Sequence, residues 1–222
     1  MNEGRRATAR EIARGHLAAG DPLGWFEALY SRAGRDASII PWADLSPNPS
    51  VFAWLDGHGA EGSGRSALDV GCGLGDDAEE LARRGFATTA FDVSEAAIAW
   101  CRSRFARSRV NYVVADLLRP PAEWQGGFDF VLESYTLQVL PPRIRQEAIR
   151  RIAAFVAPHG TLLLVARGRE PVDPEGEMPW PLTRDEIRVF QDFGLRELGF
   201  EDYMDDEDPP VRRFRVAYRA EG

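Results

Sequence analysis

Four acidic residues end or follow four apolar stretches in the middle of the chain. They are Asp69, Asp92, Asp116 and Glu133. Each stretch is typical of a strand, and open α/β sheets bind ligands outside the carboxyl ends of their parallel strands. Acids also end strands as ordinary turn formers, but four in equivalent places indicate a ligand site. Asp92 lies 21 residues after Gly71, the spacing of an acid that binds a ribose diol. Asp116 is placed to meet an adenine amino group.

The segment Ser66–Gly85 predicts a strand, a glycine turn and a helix, the first unit of a nucleotide site. Its turn glycines are Gly71, Gly73 and Gly75. Where a dinucleotide site needs a third Gly or Ala, this chain has Asp76, followed by Asp77. We expect these carboxylates to compete for the helix amides and to repel a phosphate. Asp69 suits a positively charged ligand instead. S-adenosyl-L-methionine carries an ammonium, a sulfonium and an adenosine without phosphate, so the turn favours it over NAD.

Composition narrows the class of protein. The 222 residues suffice for one α/β domain with a modest extension, and the net charge of −8 disfavours nucleic acid and anionic membrane surfaces as partners. The sequence shows neither a membrane-spanning apolar run nor a secretory signal, so we expect a soluble, cytoplasmic protein. Two cysteines, Cys72 and Cys101, and three scattered histidines predict neither a disulfide framework nor a metal site.

Strand and helix patterns alternate from Ser66 onward. This order predicts a Rossmann-like, mostly parallel seven-stranded sheet with helices on both faces and an antiparallel last strand. The expected strands are Ser66–Val70, Phe86–Phe91, Val110–Ala115, Phe128–Leu132 and Thr161–Ala166, with a final hairpin of Leu195–Met204 and Val211–Ala220. We expect residues 61–222 to form this domain. Residues 1–60 are then a helical, aromatic extension that forms a lid, and the Gly/Pro-rich loop Arg167–Leu182 is a second lid.

The extension contains Trp25 on a predicted helix and Trp42 in a proline-rich segment. Both side chains have two interpretations. They pack the extension onto the sheet, or they roof the cofactor pocket, where an aromatic face attracts a sulfonium.

These motifs resemble class I S-adenosylmethionine-dependent methyltransferases over about Ser66–Ala166. The segment LDVGCGLGD, with Asp69, resembles the family's first motif. FDVS, which contains Asp92 and Val93, resembles the segment with its second acid, and ADLL, with Asp116, resembles the segment that contacts adenine. The resemblance implies that the glycines let the cofactor approach the backbone and that Leu117 flanks the adenine. The Pro41-Trp42 segment is more weakly similar to thiol, thiopurine and halide methyltransferases and their tellurite-resistance relatives. Glu133-Ser134-Tyr135 departs from the Asn/Asp-Pro-Pro-Tyr/Phe motif of amino-methylating enzymes.

The predicted reaction is in-line displacement of the sulfonium methyl by a small-molecule acceptor, with sulfur slightly preferred over oxygen or nitrogen. Glu133 and Tyr135 are the candidate general bases. The alternatives are a cofactor-binding or structural role for Glu133 and a place in the pocket wall for Tyr135. Arg167 and Arg169 are candidates to clamp a substrate carboxylate. Rival functions are methylation of a protein or RNA and non-catalytic cofactor binding. The predicted chain is a monomer or homodimer without a metal.

Overall fold

The computed structural model describes residues 2–222, with side chains from Gly4 onward, and contains a seven-stranded sheet. The strands are β1 (Ser66–Val70), β2 (Ala87–Asp92), β3 (Asn111–Val114), β4 (Phe128–Ser134), β5 (Val156–Arg167), β6 (Leu195–Met204) and β7 (Arg212–Ala220). Their spatial order is β3-β2-β1-β4-β5-β7-β6, and β7 runs antiparallel to both of its neighbours. The predicted Rossmann-like architecture is therefore confirmed.

Helices cover both faces of this sheet. They are α1 (Asn2–Ala18), α2 (Gly24–Ala33), α3 (Pro49–Gly57), α4 (Asp76–Arg83), α5 (Glu95–Arg104), α6 (Pro142–Phe155) and α7 (Arg184–Arg188). Alternate strand residues face opposite layers, so Leu68 packs in the core under α6 while Ala67 packs with α3 and α4. Among the helices of residues 2–222, none is long and apolar enough to cross a membrane.

The strand register brings the predicted acids to one edge. Asp69 pairs with Ala90 of β2, and Val70 pairs with Glu133 of β4. The carboxyl ends of β1, β2 and β4 therefore lie side by side. At the far end of this edge, the last residue of β5, Arg167, lies directly opposite Arg213 near the start of β7.

β5 begins earlier than the sequence patterns indicate. Pro158 and Gly160 predict a break before Thr161, yet the strand starts at Val156 directly after α6. Phe128 pairs with Val156 and Phe130 with Thr161, so the extra residues form a bulge that absorbs the break.

Residues of the extension are tied to the carboxyl edge of the sheet by polar contacts. Glu27 of α2 accepts hydrogen bonds from the Ser94 hydroxyl (2.7 Å) and the Ala96 N–H (3.0 Å) at the start of α5. Asn48, which caps α3, donates its backbone N–H to Asp77 (2.7 Å) and its amide to Ser134 (3.0 Å). The extension thereby packs over the edge where the acids lie.

Candidate cofactor and acceptor site

A cavity of about 1030 Å³ lies over the carboxyl edge of the sheet. Its floor is the glycine turn and the ends of β1, β2, β4 and β5, and its walls come from the extension and the hairpin between β6 and β7. Ligand sites usually enclose roughly 300–1,000 Å³. This cavity therefore has room for a nucleoside-sized cofactor together with a small second molecule.

The glycine turn needs residues without a side chain. Gly71 has φ +64°, and a Cβ there would lie 2.5 Å from the Thr136 hydroxyl, which is fixed by its hydrogen bond to the Val70 carbonyl. Gly73 has φ +54°, and a Cβ there would lie 3.0 Å from the Tyr30 hydroxyl. All three turn glycines, Gly75 included, line the cavity. The turn therefore leaves its backbone open to a ligand.

Asp69 is the acid that lies against the start of α4. It is buried on the cavity wall, and its Oδ2 has no hydrogen-bond partner among the described residues. Burial and then the nearby carboxylates of Asp77 and Asp92 raise its pKa well above the ordinary value, while the Ala78 N–H lowers it. An ammonium or another hydrogen-bond donor on a ligand would satisfy the unpartnered oxygen.

The predicted roles of Asp76 and Asp77 at the α4 amides are wrong. Asp76 forms a two-pronged ion pair with Arg104 of α5, at 2.7 and 2.8 Å. Asp77 accepts the Asn48 N–H, and burial raises its pKa to about 6. The carboxylate that accepts an amide at the start of α4 belongs to Asp69, which accepts the Ala78 N–H. Asp76 and Asp77 nevertheless line the cavity beside it, so the predicted repulsion of a phosphate is not overturned.

Asp92 lines the cavity and also holds the turn. Its Oδ2 accepts the Gly73 N–H (3.1 Å), its Oδ1 accepts the Ser94 N–H (2.9 Å), and burial raises its pKa to about 6. Each carboxylate oxygen has two acceptor positions, so a ligand hydroxyl can still bind beside these amides. The carboxylate is thus pre-oriented by the backbone that it supports.

The side chain of Asp116 turns away from the cavity. It accepts the N–H of Leu118 at 2.8 Å, as Asp residues commonly do in their own turns, while Ala115 and Leu117 line the wall. Leu117 and the half-buried Val93 instead bring apolar surface to the part of the cavity beside Asp92.

Glu133 lies beneath the cavity floor instead of on its wall. It is fully buried, and its Oε1 accepts the N–H groups of Thr136 and Leu137, both at 2.8 Å. Its Oε2 has no partner among the described residues, and burial raises its pKa to about 7. Glu133 therefore clamps the turn after β4, which favours the structural alternative over the general base.

The same turn places Tyr135 on the cavity wall. Its φ of +65° is strained for a residue with a side chain, and the turn is held by the Tyr135 N–H to Val165 carbonyl bond (3.0 Å). The Arg213 guanidinium lies 4.8 Å from the centre of its ring. Burial raises the pKa of the phenol although Arg213 opposes the shift.

The two candidate roof tryptophans have different positions. Trp42 lines the cavity and donates its indole N–H to the Tyr30 hydroxyl at 2.8 Å. Trp25 is fully buried behind it, with its ring stacked on Phe26, so it packs the extension and does not reach the cavity. Tyr30 is a wall residue that the sequence indicates only as part of a helical apolar face.

The described residues fit S-adenosylmethionine. The unpartnered Asp69 oxygen, the exposed glycine backbone and the Asp92 carboxylate suit an ammonium, a close backbone approach and a ribose diol.

The family model described as a methyltransferase domain matches residues 67–160. The chain is 33% identical over 149 residues to a ubiquinone biosynthesis O-methyltransferase of Pseudomonas paraeruginosa, covering 66% of this chain and 62% of that protein. It is 24% identical over 168 residues to the 2-heptyl-1-hydroxyquinolin-4(1H)-one methyltransferase of Mycobacteroides abscessus, covering 73% of this chain and 72% of that protein.

A solved structure of Burkholderia thailandensis 1,6-didemethyltoxoflavin-N1-methyltransferase, with bound 1,6-didemethyltoxoflavin and S-adenosylhomocysteine, has the same fold. The TM-score is 0.69 at 19% identity, over 89% of this chain and 86% of that one. The chain spans about three fifths of the length of the ubiquinone-type relatives that it matches.

Proposed function

Because the chain belongs to the class I S-adenosylmethionine-dependent methyltransferases, we propose that it methylates a small-molecule acceptor by in-line displacement. The observation that supports this most is the continuous cavity. It runs from Asp92 and the glycine turn, past Tyr135, to Arg167, and is large enough for both reactants. Residues 1–60 act as a lid over the domain of residues 61–222.

The cofactor end of the cavity is assigned to the residues around the glycine turn. Asp92 binds the ribose hydroxyls, Asp69 receives the ammonium, and Val93 with Leu117 flanks the adenine. Trp42 closes the cavity from above, where its ring face can attract a cation. When bound, the cofactor supplies an electrophilic methyl group on a sulfonium, which leaves as a neutral thioether.

The acceptor end is assigned to the part of the cavity beside Tyr135. Holding the attacking atom in line with the methyl group accounts for up to roughly 7–11 kcal/mol of the barrier. Tyr135 is a poor general base, because burial favours its neutral phenol. It orients the acceptor by hydrogen bonding instead. The reaction therefore suits acceptors that are themselves acidic enough to attack as anions.

The acceptor is proposed to be small because the extension encloses the cavity. Arg10 of α1 donates to the Met178 carbonyl at 2.6 Å, and Arg6 reaches Glu207 of the β6–β7 hairpin at 3.4 Å. A protein or RNA acceptor would need these contacts to open. The expected preference for sulfur finds no support in relatives named for oxygen or nitrogen methylation, so we assign no preference among the three atoms.

Transfer of a radiolabelled methyl group from S-adenosylmethionine to a panel of thiols, phenols, amines, carboxylates and halides tests the proposal. We expect turnover of at least one class by the wild type and a loss of turnover in Asp92→Ala. Tight S-adenosylhomocysteine binding without turnover of any class would favour the non-catalytic alternative. Turnover of a protein or RNA substrate alone would favour the macromolecular one.

A further inference from the structure

Arg167 is a charged cavity residue without an ion-pair partner among the described side chains. It ends β5, is half-buried and lines the cavity next to Tyr135. Among the described side chains, no carboxylate lies within salt-bridge distance of its guanidinium and no acceptor bonds to it. The cavity-lining Arg213 and Arg215 form ion pairs with Glu207 and Glu201, whereas the Arg167 guanidinium forms none with the described side chains.

The arginine opposite Arg167 shows the contrast. Arg213 pairs with Arg167 across β5 and β7, so the two side chains emerge on the same face of the sheet. Arg213 is itself almost fully buried but forms ion pairs with Asp205 at 2.6 Å and with Glu207. Like charges directly opposite each other destabilise a sheet, and here only one of them is compensated by the protein.

Two acids near this end of the cavity, Asp205 and Glu207, already have partners, whereas Asp206 and Asp208 are exposed on the hairpin. Asp205 also accepts the N–H groups of Glu207 and Val211, and Glu207 also pairs with Arg6. Burial, then Arg6 and Arg213, lowers the pKa of Arg167 to about 10 while the Glu207 carboxylate opposes the shift, so the guanidinium remains charged at neutral pH. Asp44 lines the same wall, where burial raises the pKa of its carboxyl and the Arg213 charge opposes the shift; it forms no ion pair with Arg167.

We propose that Arg167 binds an anionic group of the methyl acceptor, and that a carboxylate-bearing small molecule is the substrate class. A carboxylate matches the planar fork of donors on a guanidinium and would balance the uncompensated charge beside Tyr135. This inference rests on the proposed function, since it places the acceptor in the methyltransferase cavity. Arg169, the other candidate clamp, lies outside: it bonds the Pro181 carbonyl and pairs with Glu186.

Calorimetric titration of matched probes tests the proposal without requiring turnover. The first set is 4-hydroxybenzoate, 4-hydroxybenzamide and 4-hydroxybenzylamine, and the second is 3-mercaptopropionate with its amide. Each is titrated into the full chain, with and without saturating S-adenosylhomocysteine. We expect the carboxylate of each set to bind at least tenfold more tightly than its neutral partner. Arg167→Gln should remove that difference, whereas Arg196→Gln, an exposed arginine on β6 with the same charge change, should retain it.

Several results would overturn the proposal: equal binding of the carboxylate and amide, no binding of either carboxylate, or a preference that survives in Arg167→Gln. Tighter binding of the amine would assign the cavity end to a cationic acceptor. Failure of S-adenosylhomocysteine to bind would refute the proposed function separately. The titrations without it would still measure the carboxylate preference of Arg167.

Discussion

The Asp92 carboxylate combines a structural and a proposed binding role, since it holds the Gly73 and Ser94 amides while lining the cavity. Asp92→Ala should therefore weaken S-adenosylhomocysteine binding at least tenfold, which is about 1.4 kcal/mol. Calorimetry measures this directly. Asp185→Ala is the control, because that exposed acid of α7 lies far along the chain from the glycine turn. An unchanged dissociation constant in Asp92→Ala would remove Asp92 from the site.

Glu133 should make stability depend on pH. Burial raises its pKa from the ordinary 4.5 to about 7 in the folded chain, so the folded state holds the proton more strongly. The protonated carboxyl therefore adds to the free energy of unfolding fully below about pH 4.5. This contribution is lost as the pH rises through about 7, where the folded chain gives up the proton. Glu133→Gln resembles the protonated acid and lacks this loss.

Urea unfolding of the ligand-free protein at pH 5 and pH 8 tests this assignment. We expect the free energy of unfolding of Glu133→Gln relative to wild type to rise by ~1–3 kcal/mol between the two values. The buried acids Asp69, Asp77 and Asp92 also titrate, but they are present in both proteins, so the difference isolates Glu133. A difference that does not change with pH would show that the carboxyl ionises normally.

We expect Tyr135 to orient the methyl acceptor and not to remove a proton from it. Its raised pKa keeps the phenol neutral, so Tyr135→Phe removes one hydrogen bond, worth about 0.5–1.5 kcal/mol. With an acceptor found by the panel, kcat/KM should fall about tenfold or less, with an unchanged pH profile. A much larger fall together with loss of a limb of the pH profile would instead identify Tyr135 as the base.

At this scale, sequence spacing predicted the positions of the acids better than the partners of their side chains. Asp69, Asp92 and Glu133 are at the predicted strand ends because parallel strands align those ends. The partners of Asp76 and Asp116 are Arg104 and the Leu118 amide. Such pairings depend on how helices pack and turns close, which residue spacing does not encode.

At the scale of elements, hydrogen bonds from the start of α5 to Glu27 hold α2 of the extension against the domain. The Glu27 carboxylate accepts hydrogen bonds from both the Ser94 hydroxyl and the Ala96 N–H. Glu27→Ala should lower the free energy of unfolding by about 1–3 kcal/mol, because it leaves these donors without their partner.

Chemical denaturation of Glu27→Ala checks this, with Glu11→Ala on the exposed face of α1 as the matched control. If the extension is a lid, S-adenosylhomocysteine should also dissociate faster from Glu27→Ala. Equal stability of the two variants would mean that α2 is held by its apolar face alone.

The elements themselves follow well from hydrophobic periodicity and turn residues. The predicted strand Leu195–Met204 has the bounds observed for β6, because apolar alternation marks the strand and the acidic turn marks its end. The start of β5 was missed because a bulge lets Pro158 and Gly160 sit within a strand. Arg167 lines the cavity and Arg169 does not, because β5 ends at Arg167. Hydrophobic periodicity places the end of a strand only approximately, so the sequence did not distinguish the two arginines.

At the scale of the whole molecule, a net charge of −8 coexists with one cavity-lining guanidinium, that of Arg167, which forms no ion pair with the described side chains. Asp69, Asp77 and Asp92 line the proposed cofactor end of the cavity, whereas Arg167 lines the proposed acceptor end together with paired arginines and acids of the β6–β7 hairpin. This polarity suits a cationic methyl donor and an anionic acceptor at opposite ends of one cavity. The net charge of the chain does not reveal this distribution, because it sums the charges at both ends of the cavity.

Calorimetric titration of the wild type with S-adenosylmethionine, and separately with NADH, tests the central claim most directly. The carboxylates around the glycine turn predict saturable binding of S-adenosylmethionine that S-adenosylhomocysteine displaces, and no heat of binding with NADH. Binding of NADH without binding of S-adenosylmethionine would contradict the assignment of this cavity to a cationic adenosyl donor.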